Sequence, residues 1–422
     1  MRKIVISVSG LGYVGLQVSI AFSKKFKTIG YDIDKNRIKQ LQNFYDITNE
    51  VSVKKLKKTK INYTSDISNL KNANFHIIAV PTPINKNKKP DLKVIKKATI
   101  NLAKIIKKND IIVYESTVYP GLTEEICIPL IEKYSGLLNK IDFHIGYSPE
   151  RINPGDKKNN FEKINKIVSA QSTKYLKIIK NTYASVTNGK IYSTKDIKTA
   201  EAAKVIENTQ RDLNVALINE FSKIFNKMNI DTYEVLKAAS TKWNFLNFKP
   251  GLVGGHCIGV DPYYLTYKAK KTGYNPRLIL SGREINDSMG VYIAKKALQY
   301  FPKNKKLKIN ILGITFKENC ADVRNSKVFD LIEYLKNKNH IIKIFDPYVK
   351  KLSIKNKSYK IEKIKDIKKS HIIFICVAHN EFLILDNIKF FDKNLFKNGL
   401  LFDVKSIIKN SKSNKNYIYK TL

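Results

Sequence analysis

Cys257 lies in the loop Gly251-Leu252-Val253-Gly254-Gly255-His256-Cys257-Ile258-Gly259-Val260-Asp261-Pro262, with an imidazole beside the thiol and a carboxylate four residues on. Glycines let a backbone approach a ligand closely, or take a positive φ, because no Cβ intervenes. A thiolate in such a loop can attack a carbonyl carbon and hold it covalently for a second step. The same residues also suit a small buried hydrophobe in a tight turn, the usual fate of a cysteine outside a disulfide. The loop alone leaves both readings open. His256 is either a thiolate-forming base or a packing residue, since a neighbour in sequence need not point the same way.

A second constellation sits at the N-terminus. An apolar strand over residues 3–9 runs directly into Gly10-Leu11-Gly12-Tyr13-Val14-Gly15, and an amphipathic helix follows to about Phe26. The next strand, Thr28–Tyr31, ends at Asp32. Strand, glycine turn, helix and terminal acid together form a dinucleotide-binding fingerprint. The helix N-terminus offers unsatisfied N–H groups to a pyrophosphate. Asp32 would accept from the ribose hydroxyls and favour NAD over NADP, although Asp34 is an equally acidic neighbour and either residue suits a helix cap. Ser7 and Ser9 make the first strand unusually polar, and one of them is expected to face the cofactor.

Later strands, Phe75–Val80 and Ile111–Tyr114, end in Pro81-Thr82-Pro83 and Glu115-Ser116-Thr117-Val118. Ligands bind beyond the carboxyl ends of parallel strands, so Thr82 and Thr117 are expected at the cofactor crevice. A long helical pattern from about Lys195 to Asn229 carries Lys204 and Asn208 on one face. Apolar residues occupy most of its circumference, so its polar face must find partners or line a cavity.

The formal net charge is +41, with 77 Lys and Arg against 36 Asp and Glu. The lysines spread along the whole chain among Asn and Ile, which reads as a solvated coat and not a nucleic-acid patch. The few arginines that fall inside motifs, Arg151, Arg277, Arg283 and Arg324, are better anion-site candidates because of their planar fork. Four scattered cysteines without CxxC or Cys/His spacing argue against a metal site and for thiols in a reducing cytosol. No stretch of about 18 apolar residues exists to span a membrane.

A second strand–helix alternation begins near Leu307, with strands at Lys308–Gly313, Ile341–Phe345, His371–Val377 and Leu400–Val404. The expected architecture is α/β: two doubly wound Rossmann-like domains joined by a long central helix and a helical dimerisation region. Boundaries are set at 1–195, 196–304 and 305–422.

From Gly10-Leu11-Gly12-Tyr13-Val14-Gly15-Leu16 through Val80-Pro81-Thr82-Pro83, Glu115-Ser116-Thr117-Val118-Tyr119-Pro120-Gly121, Ser148-Pro149-Glu150-Arg151, Lys204-Val205-Ile206-Glu207-Asn208, the Cys257 loop and Arg283-Glu284-Ile285-Asn286-Asp287, to Phe316-Lys317 and Asp322-Val323-Arg324-Asn325-Ser326, the chain resembles the UDP-glucose/GDP-mannose dehydrogenase family. The resemblance implies four-electron oxidation of a sugar C6 alcohol to a carboxylate, with two NAD used in succession. It casts Cys257 as the nucleophile that forms a thiohemiacetal and then a thioester. Thr117, Lys204 and a water held by Asp261 match positions that share the base's task. Lys204 and Asn208 match oxyanion stabilisers, and Glu150 matches the activator of the hydrolytic water.

The same resemblance places Gly10, Gly12, Tyr13, Val14, Gly15, Asp32, Thr82, Thr117 and Arg324 around the cofactor. It places Arg151, Lys204, Asn208, Gly254, Gly255 and Lys317 around the UDP-sugar. Arg283 is implied to reach a substrate phosphate across a homodimer interface, with a structural ion pair as the alternative. The run Gly254–Leu265, preceded by Lys242-Trp243-Asn244-Phe245, resembles the branch acting on UDP-N-acetylhexosamines, UDP-GlcNAc or UDP-GalNAc. UDP-glucose and UDP-N-acetylmannosamine are the alternative substrates.

Overall fold

The protein is described by a computed structural model covering residues 3–48, 50–152, 161–255, 257–350, 352–354, 357–385, 388–409 and 416–422. The chain divides into two compact units, residues 1–207 with 263–275, and residues 208–262 with 276–422. The division falls within one continuous helix, Ile197–Lys227.

The N-terminal unit is built on eight strands: β1 (Val5–Ser9), β2 (Lys27–Tyr31), β3 (Ile61–Thr64), β4 (Phe75–Ile78), β5 (Asp110–Tyr114), β6 (Phe143–Tyr147), β7 (Lys166–Ala170) and β8 (Ile191–Ser193). Their order in the sheet is β3-β2-β1-β4-β5-β6-β7-β8. Pairing is parallel except where β7 runs antiparallel to β6. The switch from β2 to β4 on either side of β1 opens a crevice beyond the strand ends. Strands buried on both faces read as apolar runs, as Phe75, Ile77, Ile111 and Val113 do in this core. The polar Ser7 points into the sheet interior: its hydroxyl lies 2.7 Å from His76 Nδ1, and His76 Nε2 lies 3.2 Å from Asp110 Oδ2. The polarity of β1 at Ser7 therefore reflects a buried hydrogen bond and not a cofactor contact.

The C-terminal unit carries β9 (Lys308–Leu312), β10 (Ile341–Phe345), the hairpin β11 (Leu352–Ile354) and β12 (Lys357–Tyr359), then β13 (Ile361–Glu362), β14 (Ser370–Ile375), β15 (Leu395–Asp403) and β16 (Ile418–Thr421). Its main sheet runs β13-β10-β9-β14-β15-β16, parallel throughout. Ile309, Ile311, Ile372, Phe374 and Leu400 pack there against Met289 and Ile293 of the helix Arg277–Leu298 and against Leu331 and Leu335 of the helix Val328–Asn337. The α/β class with two doubly wound sheets and a helical central region is as the sequence leads one to expect. No described helix is long and apolar enough to cross a membrane.

Candidate active site

The cofactor crevice of the N-terminal unit begins at the turn after β1. Gly10 has φ +92°, and a Cβ there would lie 2.9 Å from the Ala79 carbonyl oxygen. A Cβ on Gly15 would lie 1.7 Å from the Gly10 oxygen, so only glycine lets helix and turn meet so closely. Gly12 is exposed and has open space around its missing Cβ. The helix Tyr13–Ser23 starts there with no side-chain cap and no acid in its first turn. Its N–H groups and dipole are thus left for an anion. Asp32 and Asp34 part company here. Asp34 caps the helix Lys35–Gln42 by accepting from the Asn36 and Arg37 N–H groups. Asp32, half-buried, takes the Leu11 N–H on Oδ2 at 2.8 Å and the Asp34 N–H on Oδ1 at 3.0 Å. An open glycine cradle, an uncapped helix and an acid at the end of β2 fit the diphosphate and ribose of NAD.

Thr82 and Thr117 are both half-buried in the loops after β4 and β5. Those loops are joined by Ser116, whose hydroxyl donates to the Val80 carbonyl at 2.7 Å. Glu201, four residues from the start of the long helix, fastens the far end of the Thr117 loop: it accepts from Gly121 N–H at 2.5 Å and Thr123 N–H at 3.0 Å. Burial pushes its carboxyl up to about 7 against the pull of those donors. One turn later, Lys204 is 7% exposed and has no ion-pair partner among the described residues. A buried ammonium without a counter-charge is costly, and a developing oxyanion would relieve it. Arg151 is bidentate to Glu207, with NH2 at 2.8 Å and Nε at 3.3 Å from its two oxygens. Glu150 is buried; its Oε1 accepts the N–H groups of Arg151 and Ile152, and its Oε2 lies 3.4 Å from the Lys166 ammonium.

The C-terminal unit holds the thiol. Cys257 is half-buried, and its carbonyl accepts from Val260 N–H at 3.0 Å and Asp261 N–H at 2.9 Å. That turn launches the helix Asp261–Lys271 and sets the buried Asp261 carboxylate, whose Oδ2 accepts from Asn208 Nδ2 at 2.5 Å. Cys257, Asp261 and Asn208 are thereby tied together. Just before them, Gly255 has φ +83° and its missing Cβ would strike the Phe316 ring at 2.7 Å. Its N–H donates to the Arg324 carbonyl at 3.1 Å, and its carbonyl accepts from Asn325 Nδ2 at 3.0 Å. The segment from Lys317 to Ser326 is therefore built against Gly254 and Gly255. His256 lies outside the described residues.

A small cleft opens beside this seam, lined by Gly254, Phe316, Lys317, Lys327 and Lys405 among others. Burial and Lys249 push the Lys405 ammonium below its usual range, and Glu318 opposes them. Glu318 lines the cleft as well, and Lys327 is itself paired with Asp287 and Asp330. Lys405 was not singled out by sequence, because one lysine in so lysine-rich a chain carries no local signal. Arg324 is exposed and bonded to its own Asp322. Arg283 is 2% exposed, within 2.5 Å of Asp212 Oδ1 and bonded also to Asp287. Its guanidinium nitrogens stand 3.9 Å from the space a Gly259 Cβ would fill, directly behind the Cys257 loop. Within the chain, then, Arg283 forms the internal ion pair of the two arrangements expected. Among the described residues no group of three His, Cys, Asp or Glu is placed to hold a metal ion.

Comparison with known proteins agrees along the whole length. Models of the UDP-glucose/GDP-mannose dehydrogenase family match residues 4–187 as the NAD-binding domain, 198–288 as the central domain and 310–410 as the UDP-binding domain. Protein CapL of Staphylococcus aureus is 52% identical over 416 residues, 97% of each chain. A UDP-N-acetyl-D-glucosamine 6-dehydrogenase of Salmonella typhi is 44% identical over 415 residues, 96% of this chain and 97% of that one. Among solved structures, a UDP-D-ManNAc dehydrogenase of Pyrococcus horikoshii matches with a TM-score of 0.89 and 30% identity, covering 99% of both chains.

Proposed function

The chain belongs to the UDP-glucose/GDP-mannose dehydrogenase family and is an NAD-dependent UDP-sugar dehydrogenase; from that premise we propose that it oxidises the C6 alcohol of a UDP-N-acetylhexosamine, UDP-GlcNAc or UDP-GalNAc, to the uronic acid through a covalent thioester on Cys257. The observation that carries this reading is the link from the Cys257 carbonyl in the glycine loop through Asp261 to the Asn208 side chain of the long helix. The choice of sugar is supported by the 44% identity to a UDP-GlcNAc 6-dehydrogenase against 30% to a UDP-D-ManNAc dehydrogenase.

Gly10, Gly12, Tyr13, Val14 and Gly15 would hold the cofactor's diphosphate and Asp32 its ribose, with Thr82, Thr117 and Arg324 flanking it. NAD, when bound, supplies the hydride acceptor for both oxidations, two per sugar. The chain's residues do the rest. Thr117, Lys204 and a water on Asp261 take the proton of the C6 hydroxyl. Cys257 Sγ then bonds to the aldehyde carbon, which prevents its escape and fixes it for the second oxidation. Lys204 and Asn208 stabilise the negative oxygen of each tetrahedral stage. A water deprotonated by Glu150 bonds to the thioester carbon, and the C–S bond breaks to release the carboxylate. Arg151, Gly254, Gly255 and Lys317 would position the UDP-sugar, and the lysine cleft extends that set by Lys405.

A homodimer is part of the proposal. The long helix leaves Ile206, Leu217 and Ile224 exposed, an apolar stripe that suits a second copy. For Arg283 to serve a partner's site it would have to leave Asp212 and Asp287. The product would feed surface polysaccharide synthesis from the cytoplasm.

A panel of UDP-hexoses and UDP-N-acetylhexosamines with NAD, followed by NADH absorbance, tests the substrate. The expected result is fastest turnover with UDP-GlcNAc or UDP-GalNAc. Preference for UDP-glucose or UDP-ManNAc by more than about tenfold in kcat/KM, roughly 1.4 kcal/mol of transition-state binding, would overturn the choice.

A further inference from the structure

Lys166 opens β7 and is among the fully buried side chains of the molecule. Its ammonium is 3.2 Å from Glu115 Oε2 and 3.4 Å from Glu150 Oε2, and it donates to the Pro149 carbonyl at 3.3 Å. The rings of Phe161 and Tyr183 stand 4.8 Å and 5.5 Å from it. Glu115 begins the loop that carries Thr117, while Glu150 belongs to the loop after β6. One cation therefore grips two loops that leave the sheet from adjacent strands. The antiparallel turn of β7 makes this possible, because it brings the start of that strand to the edge where β5 and β6 end.

The other side of each carboxylate is also fixed. Tyr183 donates to Glu115 Oε1 at 2.5 Å, and the Arg151 and Ile152 N–H groups hold Glu150 Oε1. This leaves Glu150 Oε2 facing the Lys166 ammonium and the Glu115 side chain, which together set its direction. Two carboxylates face one ammonium, so the cluster retains a proton more readily than an exposed pair would. Burial raises the Glu115 carboxyl against the attraction of Lys166, and the Glu150 charge adds to the rise. Burial pulls Lys166 the other way, but the two carboxylates outweigh it and raise its affinity for its proton.

We propose that Lys166 is a positioning residue for thioester hydrolysis, orienting the Glu150 carboxylate. The proposal rests on the roles given above to Cys257 and Glu150. In that step a water oxygen bonds to the thioester carbon, a water proton passes to Glu150 and the C–S bond breaks to return the Cys257 thiolate. The Thr117 loop keeps its own ties through Ser116 and Glu201, so a misdirected Glu150 slows this step and leaves the two oxidations in place.

The test uses the full chain with NAD and the best UDP-N-acetylhexosamine. Lys166→Met alone would strand two buried carboxylates, so the informative variant is Glu115→Gln with Lys166→Met, which removes one of them together with the cation. Expected are a native-like melting curve, a burst of NADH, a kcat lowered about 100-fold, the scale of a lost proton-transfer group, and a sugar adduct on Cys257 by intact-protein mass. KM should stay within about twofold, as for an interaction absent from the ground state. Glu115→Gln alone, which keeps the ammonium on Glu150, should turn over without accumulating the adduct. Lys166→Arg keeps the charge and displaces the donors, and it should accumulate the adduct to a smaller extent. Steady turnover without adduct in both Lys166 variants would overturn the proposal while the native enzyme still forms NADH. Absence of NADH from any UDP-sugar in the native enzyme would instead sink the underlying reading.

Discussion

The first turn of each main sheet is built alike and used differently. In the N-terminal unit Gly10 N–H donates to the Tyr31 carbonyl at 2.8 Å and Leu11 N–H to Asp32 Oδ2 at 2.8 Å. In the C-terminal unit Gly313 N–H donates to the Phe345 carbonyl at 2.8 Å and Ile314 N–H to Asp346 Oδ2 at 2.8 Å. Gly10 and Gly313 share positive φ angles of 92° and 86°. Beyond that point the two diverge. After Leu11 comes the open, exposed Gly12 and at once a helix N-terminus. After Ile314 comes buried Thr315, whose hydroxyl donates to the Lys317 carbonyl at 2.8 Å, and no helix starts until Val328.

The acids diverge in the same way. Asp32 is half-buried, whereas Asp346 is covered by His379, whose Nε2 is 3.3 Å from Asp346 Oδ2 and 3.1 Å from Thr315 Oγ1. Asn319 N–H donates to His379 Nδ1 at 3.0 Å, so the neutral ring keeps its proton on Nε2, facing Asp346. Tyr348 lies over that imidazole with ring centroids 4.9 Å apart. A turn that cradles a ligand in one unit is plugged by side chains in the other. Backbone geometry alone does not make a nucleotide site; the open third position and the uncapped helix do.

Substitutions should separate the two turns. The largest effect belongs to Gly15→Ala, whose Cβ would collide with the Gly10 carbonyl at 1.7 Å. NAD affinity measured by fluorescence titration should fall by more than about 100-fold, some 2.7 kcal/mol. Gly313→Ala, at the counterpart of Gly10, forces alanine into positive φ and brings its Cβ to 2.6 Å from Val377 Cβ, so the loss of stability should exceed the ~1–2 kcal/mol of backbone strain alone. It should leave NAD affinity within about twofold. Equal losses of NAD affinity in both would erase the distinction.

Asp32→Asn should weaken NAD by roughly tenfold and narrow its preference over NADP, the scale of one charge-assisted hydrogen bond. Asp346→Asn should lower the melting temperature and spare NAD, because its carboxylate serves Ile314, Tyr348 and Val349 N–H groups of its own unit. An NAD effect from Asp346→Asn of the same size would contradict the assignment.

The last prediction concerns pH. Glu201 has its folded-state pKa raised from 4.5 to about 7 by burial. The protonated form is favoured by folding, so its contribution is fully present below about 4.5 and is lost as pH rises toward 7. Across that window the native stability curve should slope downward by about 1.4 kcal/mol per pH unit from this group. Glu201→Gln should flatten it by that amount in denaturant titrations at several pH values. An unchanged slope would show that Glu201 does not hold its proton.

What was legible in the sequence follows the same divide. The turn after β1 announces itself because strand, glycines, helix and Asp32 are contiguous within about 30 residues, the span of one βαβ unit. The Cys257 loop is likewise local, and the turn from its carbonyl to the Asp261 N–H joins residues only four apart in the chain. The second turn was only half visible: β9 was found as an apolar run, but the Asp346–His379 plug joins residues far apart and leaves no pattern. The strands β6 and β7 went unread, and with them Lys166, whose burial depends on an antiparallel strand that no periodicity marks. A lysine-rich chain reads as a uniform coat, and nothing local separates Lys166 and Lys405 from the exposed majority. Arg283 was expected to face either a partner's substrate or a nearby acid, and only the fold shows Asp212 and Asp287 beside it.

NADH formed per sugar, with limiting UDP-N-acetylhexosamine and excess NAD, tests the covalent two-step oxidation at Cys257 most directly. Two NADH per sugar in the native enzyme, and loss of that stoichiometry together with uronic acid formation in Cys257→Ser, is the predicted result. One NADH per sugar, unaltered by Cys257→Ser, would contradict it.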